Sequence, residues 1–184
     1  MGKVGSPWMT SHDPIAHRHI ISSPAMFPHG RTFFGGSVTA YEKKCPNCGV
    51  PVELYRNPFP TVDAVVIRGD KVLMVERKNF PEGWALPGGF VDYGESAEAA
   101  VARELQEETG LRARSLLLLG VYSAPGRDPR FHTLTVVYAA EADGEPEAAD
   151  DARDVRWWPV DALPGHIAFD HRQIIQDALA RRLV

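Results

Sequence analysis

The sequence predicts an α/β domain, of the α+β class, preceded by an irregular N-terminal arm. Three observations predict it: β-branched apolar segments alternate with turn residues from residue 58 onward, a capped helical segment follows residue 96, and an amphipathic helical segment ends the chain. The 184 residues suit one domain with an appendage, and 44% hydrophobic with 24% charged residues is a globular composition. We therefore expect an arm over 1–57 and one folded domain over 58–184.

Residues 1 to about 40 of the arm are rich in proline, glycine, serine and histidine and have little periodicity, which predicts irregular structure there, and residues 41–57 contain a cysteine motif. Near the end of the arm, Cys45-Pro-Asn-Cys48-Gly looks like half of a zinc knuckle. A closed structural site needs four ligands, and the chain has no other cysteine. Cys45 and Cys48 are candidate zinc ligands completed by arm histidines, or a half ribbon that binds no metal; both interpretations stay open. The histidines concerned are His12, His17, His19 and His29.

The domain begins with a predicted hairpin. Thr61 to Arg68 is β-branched and apolar, Gly69-Asp70 is a turn pair, and Lys71 to Arg77 is the returning strand. The later extended segments are short and bounded by turn residues. They are 86–91, which contains Pro87-Gly88-Gly89, then 116–124, 131–140 and 154–160.

Two helices are predicted. The first runs from Ser96 to Thr109: the Ser96 hydroxyl can accept hydrogen bonds from free amides, Glu98 suits the first turn, and Gly110 ends the helix. The second runs from Ile167 to Leu183. Its apolar stripe comprises Ile174, Ile175, Ala178, Leu179 and Leu183.

Three acids of the first helix lie close together in helical projection. Glu104, Glu107 and Glu108 span about 100° of the helix circumference. Like charges on one face repel, so a structural helix gains nothing from them, whereas three oxygen donors suit Mg²⁺ or Mn²⁺. Arg103 can reach back to Glu95 and brace the loop before the helix, and the Gly88 carbonyl is a further candidate ligand.

Residues 89–111 match every fixed position of the Nudix box, Gly-x5-Glu-x7-Arg-Glu-U-x-Glu-Glu-x-Gly-U, where U is aliphatic. The chain therefore resembles the Nudix hydrolases over about residues 58–182, and segments 86–89 and 157–164 look like that family too. The resemblance implies the Nudix fold, a mixed, curved β-sheet sandwiched between helices. It also implies metal-dependent hydrolysis of a nucleoside diphosphate linked to another group, in which metal lowers the pKa of an attacking water.

The resemblance also implies residue roles. Glu104 and Glu108 would be the main metal ligands, with Glu107 and the backbone of Gly88 as additional ligands, and Glu95 with Arg103 would be a structural pair. Nudix enzymes usually recruit one more acid from a loop before the penultimate strand. The six-residue spacing to Trp157 favours Asp151, then Asp150, as ligand or general base.

Residues 122–133 resemble a segment of the ADP-ribose pyrophosphatases of this family. We expect Arg127 and Arg130 to hold a diphosphate or terminal ribose, with Asp128 or His132 orienting them. Trp84 and Tyr122 are candidates for stacking on the base. The predicted reaction converts ADP-ribose to AMP and ribose 5-phosphate. An NADH- or FAD-type dinucleotide pyrophosphatase and a catalytically silent Nudix ligand sensor remain alternatives.

The net charge of −4 is distributed unevenly along the chain. Segments 89–111 and 141–151 carry −5 and −6, and the other 150 residues carry +7. Acidic segments in a mildly basic body favour a metal-dependent site for a small anionic nucleotide and argue against nucleic-acid binding. No apolar run is long enough to span a membrane, so we expect a cytoplasmic protein, and the family resemblance allows a homodimer.

Overall fold

The computed structural model describes residues 40–149 and 152–181. The chain divides after Arg56 into two units, which are taken separately. In the first, β1 (Ala40–Lys44) pairs antiparallel with β2 (Pro51–Tyr55). The turn between them is closed by two hydrogen bonds of 2.9 Å, from the Gly49 N–H to the Cys45 carbonyl and from the Cys45 N–H to the Val50 carbonyl. Gly49 has a φ of +72°, which only glycine adopts readily.

The second unit contains two four-stranded sheets. The first has the order β7–β3–β9–β8, with β3 parallel to β9 and the other neighbours antiparallel. Its strands are β3 (Phe59–Val65), β7 (Gly88–Phe90), β8 (Arg112–Tyr122) and β9 (Thr133–Asp143). In the second sheet β5 pairs antiparallel with three strands. Its members are β4 (Ile67–Arg68), β5 (Lys71–Arg77), β6 (Gly83–Ala85) and β10 (Ala152–Pro159).

Two helices cover opposite faces of the first sheet. Val62 and Ala64 of β3 pack in one buried cluster with α1 (Ala97–Thr109), and Val65 packs in another with α2 (His171–Arg181). Because successive strand residues point to opposite faces, Asp63 lies on the α2 side. This mixed sheet between helices confirms the predicted fold class. Within the described part of the chain, no helix is long and apolar enough to cross a membrane.

The strand predictions were correct in position and inaccurate at their ends. β5 has the predicted bounds, whereas β3 starts at Phe59 and β9 extends to Asp143. Pairing with β8, which places Arg112 opposite Asp143, carries β9 beyond its apolar residues. The three-residue strand β6 was not predicted, because its residues Gly83 to Ala85 show no period.

The first helix prediction is confirmed. The Ser96 hydroxyl accepts a hydrogen bond from the Ala99 N–H, and Gly110 ends α1 with a φ of +73°. The second helix starts four residues later than predicted, at His171, because Ile167 forms a bridge with Trp84. Ile174, Ile175 and Ala178 are buried as predicted, whereas Leu179 is exposed. Leu183 lies outside the described residues.

Candidate functional site

The Arg103 side chain connects α1 to the loop that precedes it. Its guanidinium donates two hydrogen bonds to Glu95, of 3.0 and 2.9 Å, and one of 3.0 Å to the Phe90 carbonyl. It also donates to Glu104 at 2.8 Å and to Glu107 at 3.0 Å. Hydrogen bonds from Arg103 lower the pKa of Glu95. Arg103 therefore fixes the start of the helix and holds two acids of its face in place.

Glu104 and Glu108, here called the acidic pair, lie against residues 86–89, here called the glycine segment. The Gly88 N–H donates a 3.0 Å hydrogen bond to the Glu108 carboxylate. Burial raises the pKa of Glu108 to about 8; the Gly88 bond opposes this rise, and the charge of Glu104 adds to it. Burial also raises the pKa of Glu104, against the effect of Arg103. Two poorly solvated carboxylates that repel each other are a favourable setting for a cation.

Glycine is required at both positions of the glycine segment that face these acids. A Cβ at Gly89 would lie 2.5 Å from Cδ of Glu104. A Cβ at Gly88 would lie 2.7 Å from Oδ1 of Asp63 and would also meet the Val62 carbonyl. The Gly89 backbone can therefore approach Glu104, and the Gly88 backbone can lie against β3, only because neither residue carries a side chain.

The acidic pair lines a cleft of about 390 Å³ in the second unit. Three arginines, here called the arginine group, line the same cleft: Arg77, Arg127 and Arg130. The charges of Arg77 and Glu108 attract each other and shift the pKa values of both. The cleft thus combines carboxylates that could hold a cation with guanidinium groups that suit phosphate.

Arg77 and Arg130 meet at the ring of Phe169. Their Cζ atoms lie 4.9 and 5.6 Å from its centroid. Phe169 has a φ of +58°, an uncommon backbone conformation for a bulky residue. Arg77 is held by a 2.8 Å hydrogen bond from Nε to the Pro81 carbonyl, and burial together with Arg130 lowers its pKa. Neither Arg77 nor Phe169 belongs to a recognisable motif, so sequence reasoning missed both.

The two predicted substrate arginines are both paired with carboxylates. Arg127 donates to both oxygens of Asp170, at 3.0 and 2.6 Å, and to the Thr133 hydroxyl at 2.9 Å. Its side chain is only 4% exposed. Arg130 donates to both oxygens of Asp128, at 3.0 and 2.8 Å, and stays 29% exposed. Arg127 therefore fastens its loop to the start of α2, whereas Arg130 remains accessible from the cleft.

A buried polar chain lies beneath the cleft. The Thr135 hydroxyl donates a 2.6 Å hydrogen bond to Asp63, and Nε2 of His171 lies 3.5 Å from the other Asp63 oxygen. Nδ1 of His171 accepts a 2.9 Å hydrogen bond from the Leu86 N–H. Burial lowers the pKa of His171. Sequence reasoning missed this chain because its members are far apart in sequence.

The other predicted residues lie away from the cleft lining. Trp84 packs on Trp158 at 5.1 Å between ring centroids, and the Tyr122 hydroxyl donates a 2.8 Å hydrogen bond to Asp177. Nε2 of His132 lies 3.0 Å from the Ser123 carbonyl. Glu107 is half exposed and bonded to Arg103. Asp150 and Asp151 lie outside the described residues.

Three exposed phenylalanines form an aromatic cluster that was not predicted. The rings of Phe59 and Phe131 are 4.8 Å apart between centroids, and Phe90 lies 6.1 and 6.0 Å from them. Phe90 lines the cleft, so this cluster reaches its opening. Solvent-exposed rings next to a polar cleft are suited to stacking on a planar ligand.

Within residues 40–149 and 152–181, no three histidine, cysteine or acidic side chains form a ready metal site. In the acidic region, Arg103 occupies oxygens of Glu104 and Glu107, and Gly88 occupies one of Glu108. The donors are nevertheless hard oxygen atoms, and burial raises the pKa values of Glu104 and Glu108, so these carboxylates fit Mg²⁺ or Mn²⁺. In the first unit, Cys45 and Cys48 are free thiols, and hydrogen bonds from Asn47 and Cys48 lower the pKa of Cys45.

Comparisons with known proteins agree with this geometry. The family model of the NUDIX domain matches residues 57–178. The ADP-ribose pyrophosphatase of Methanocaldococcus jannaschii is 46% identical over 127 residues, which are 67% of this chain and 75% of that protein. The NAD-capped RNA hydrolase NudC of Pseudomonas aeruginosa is 35% identical over 66% of this chain but only 42% of its own length.

A solved structure adds a ligand-bound relative. The NUDIX domain of Shewanella oneidensis NrtR complexed with ADP ribose has a TM-score of 0.61 and 35% identity, over 70% of this chain and 90% of that one. The ADPR responsive transcriptional repressor NtrR of Acinetobacter baylyi is 33% identical over 69% of this chain and 55% of the repressor. This chain therefore spans about half of the repressor and less than half of the RNA hydrolase.

Proposed function

Because the chain belongs to the NUDIX domain family and is a Nudix hydrolase, we propose that it cleaves ADP-ribose to AMP and ribose 5-phosphate with Mg²⁺ or Mn²⁺. One observation carries the proposal: the acidic pair and the arginine group line a single cleft of about 390 Å³. That volume suits a small nucleotide. The 46% identity to an ADP-ribose pyrophosphatase supports the choice of substrate.

In the proposed site, oxygen atoms of Glu104, Glu108 and the Gly88 backbone hold the metal, with Glu107 as an additional ligand. A divalent metal there would offset phosphate charge and activate a water for attack on phosphorus. Arg103 and Glu95 keep the helix and its loop in register. Asp151, or Asp150, would complete the site as a ligand or general base.

The substrate would be held by the basic and aromatic residues. Arg130 and Arg77 would hold the diphosphate, with Asp128 orienting Arg130 through their two hydrogen bonds. Arg127 would keep the loop closed on α2. The aromatic cluster offers a stacking surface for the base in addition to the predicted Trp84 and Tyr122. His132, through its contact with the Ser123 carbonyl, would orient the loop that carries Arg127.

The test is a product assay with ADP-ribose, NADH, FAD and a damaged deoxynucleoside triphosphate in the presence of Mg²⁺. We expect AMP and ribose 5-phosphate from ADP-ribose at the highest kcat/KM. NADH as the preferred substrate would replace the substrate proposal by a dinucleotide pyrophosphatase. Background rates on all four would contradict the enzymatic proposal itself.

The sensor alternative is favoured by the ADP ribose complex of the NrtR domain. A sensor and an enzyme would both bind ADP-ribose, so binding alone does not separate them. Calorimetry with ADP-ribose followed by product analysis of the same sample does. Tight binding with intact ligand after hours would support a sensor, whereas AMP in the sample would support the hydrolase.

Two further predictions concern assembly. Cys45 and Cys48 would hold zinc only with ligands from elsewhere, and elemental analysis of the purified protein would decide: a metal-to-chain ratio near zero removes zinc. A homodimer is expected from the family resemblance, and light scattering during gel filtration would measure the mass in solution. A measured mass equal to that of one chain would contradict the homodimer.

A further inference from the structure

The His171 ring joins α2 to the glycine segment. Its Nδ1 accepts a 2.9 Å hydrogen bond from the Leu86 N–H, and its Nε2 faces Oδ1 of Asp63 at 3.5 Å. An imidazole nitrogen that accepts a hydrogen bond carries no proton, so the proton of the neutral ring is on Nε2, toward Asp63. The ring thus makes one contact to the backbone of the glycine segment and one to the buried Asp63 carboxylate.

The backbone after Leu86 connects the His171 contact to the acidic pair over two residues. Leu86 is followed by Pro87 and then by Gly88, whose N–H donates to Glu108 at 3.0 Å. Pro87 has a fixed φ and its carbonyl accepts a 2.8 Å hydrogen bond from the Ala64 N–H, so little freedom remains between Leu86 and Gly88. A change in the position of Leu86 would therefore be transmitted to Gly88 and Glu108.

Asp63 holds the same segment from below. Its Oδ1 lies so near Gly88 that a Cβ there would be 2.7 Å away, and its Oδ2 is held by Thr135. His171 and Asp63 therefore fix the segment from two directions.

We propose that His171 is a positioning residue, which holds the Leu86 amide so that the Gly88 backbone and the Glu108 carboxylate take the geometry that binds a divalent cation. The proposal rests on the proposed function only in that the acidic pair holds a metal. It does not depend on which nucleotide is hydrolysed.

The test compares two polar variants of similar size. In H171N the amide oxygen can occupy the place of Nδ1 and accept from Leu86, whereas in H171Q the amide group reaches the place of Nε2 and leaves that amide unpaired. The Mn²⁺ dissociation constant is measured by calorimetry on the folded full-length protein, with Tm and kinetics alongside. We expect H171Q to weaken Mn²⁺ binding about 10- to 100-fold, as typical for loss of an outer-shell partner, and H171N to stay within about threefold.

If His171 had only a structural role, both variants would have a lower Tm and their Mn²⁺ dissociation constants would change by the same factor. That result would overturn the proposal. A wild-type protein that binds no Mn²⁺ would overturn it too. If H171N and H171Q differ in Mn²⁺ affinity as expected but the protein does not hydrolyse ADP-ribose, the substrate proposal fails and the positioning role stands. In the kinetics, H171Q should lower kcat at saturating Mn²⁺ and leave KM for the nucleotide within about twofold.

A second measurement uses only wild-type protein and so does not depend on a variant folding. Titration with diamagnetic Mg²⁺ is followed by nuclear magnetic resonance at the Leu86 amide and at Nδ1 of His171. Both resonances should shift along the same saturation curve as those of Gly88. Unchanged Leu86 and His171 resonances at saturating Mg²⁺ would overturn the proposal.

Discussion

The acidic pair and the arginine group of the cleft differ in how their charges are compensated. Arg127 and Arg130 each make two hydrogen bonds to one carboxylate, so most of their charge is already balanced within the protein. Among the residues that the structure describes, the Glu108 carboxylate accepts a side-chain hydrogen bond from the Gly88 N–H alone, and burial raises its pKa to about 8. The comparison shows that carboxylates fix Arg127 and Arg130 in advance and that Glu104 already has Arg103 as a partner, whereas Glu108 has no cationic hydrogen-bond partner among the described residues.

The largest expected effect tests the acidic pair. E108Q removes one carboxylate charge without changing the side-chain volume, so we expect kcat to fall about 1,000-fold or more with the fold intact. The matched control is E145Q, since Glu145 is 91% exposed and only 3.9 Å from Arg68 in a weak ion pair. Retained activity in E108Q, measured as AMP release, would remove Glu108 from the site.

The next effect tests whether the glycine segment needs its close approach. G89A would place a Cβ against the Glu104 carboxylate, and either that side chain or the backbone must move. We expect kcat to fall roughly 100-fold, because a shift of about 1 Å near the reacting groups has that cost. G69A is a control for backbone strain away from the cleft, since a Cβ at Gly69 would meet nothing within 4 Å although its φ is +61°.

The two parts of the cleft were not equally accessible to prediction. The acidic pair, Arg103 and Glu95 lie within one 23-residue box whose spacing is set by a single helix and loop. Arg77, Asp63, Phe169 and His171 come from two strands and the start of α2, and only the fold brings them together. Strand bounds such as those of β9 were inaccurate for the same reason, because partner strands determine where pairing ends.

The third prediction concerns Arg127 and Arg130, and it separates an arginine that stabilises the fold from one that binds substrate. R127A would leave the Asp170 carboxylate without its guanidinium partner. We therefore expect the free energy of unfolding to fall by about 3 kcal/mol and Tm to fall by roughly 6–12 °C. R130A removes a more exposed cation from the cleft but also leaves the buried Asp128 without its partner, so we expect KM for ADP-ribose to rise about tenfold together with a lower Tm. A drop in Tm for R130A with KM unchanged would reverse the assignment.

The last prediction concerns the pH dependence of stability without metal. Because the pKa of Glu108 is raised from 4.5 to about 8 in the fold, its contribution to stability is fully present below about pH 4.5 and is lost as the pH rises through 8. In the presence of a chelator, the wild-type Tm should therefore fall between pH 5 and 8.5 relative to that of E108Q, by about 2–4 °C for each kcal/mol lost.

Adding Mg²⁺ to the wild type should remove most of that difference, since a bound cation favours the ionised carboxylate that burial disfavours. E107Q is the matched comparison, because Glu107 is half exposed and its carboxylate is bonded to Arg103. Its Tm profile should follow that of the wild type. Parallel profiles for E108Q and wild type would show that Glu108 is as well compensated as the arginines, and the contrast between the two parts of the cleft would fail.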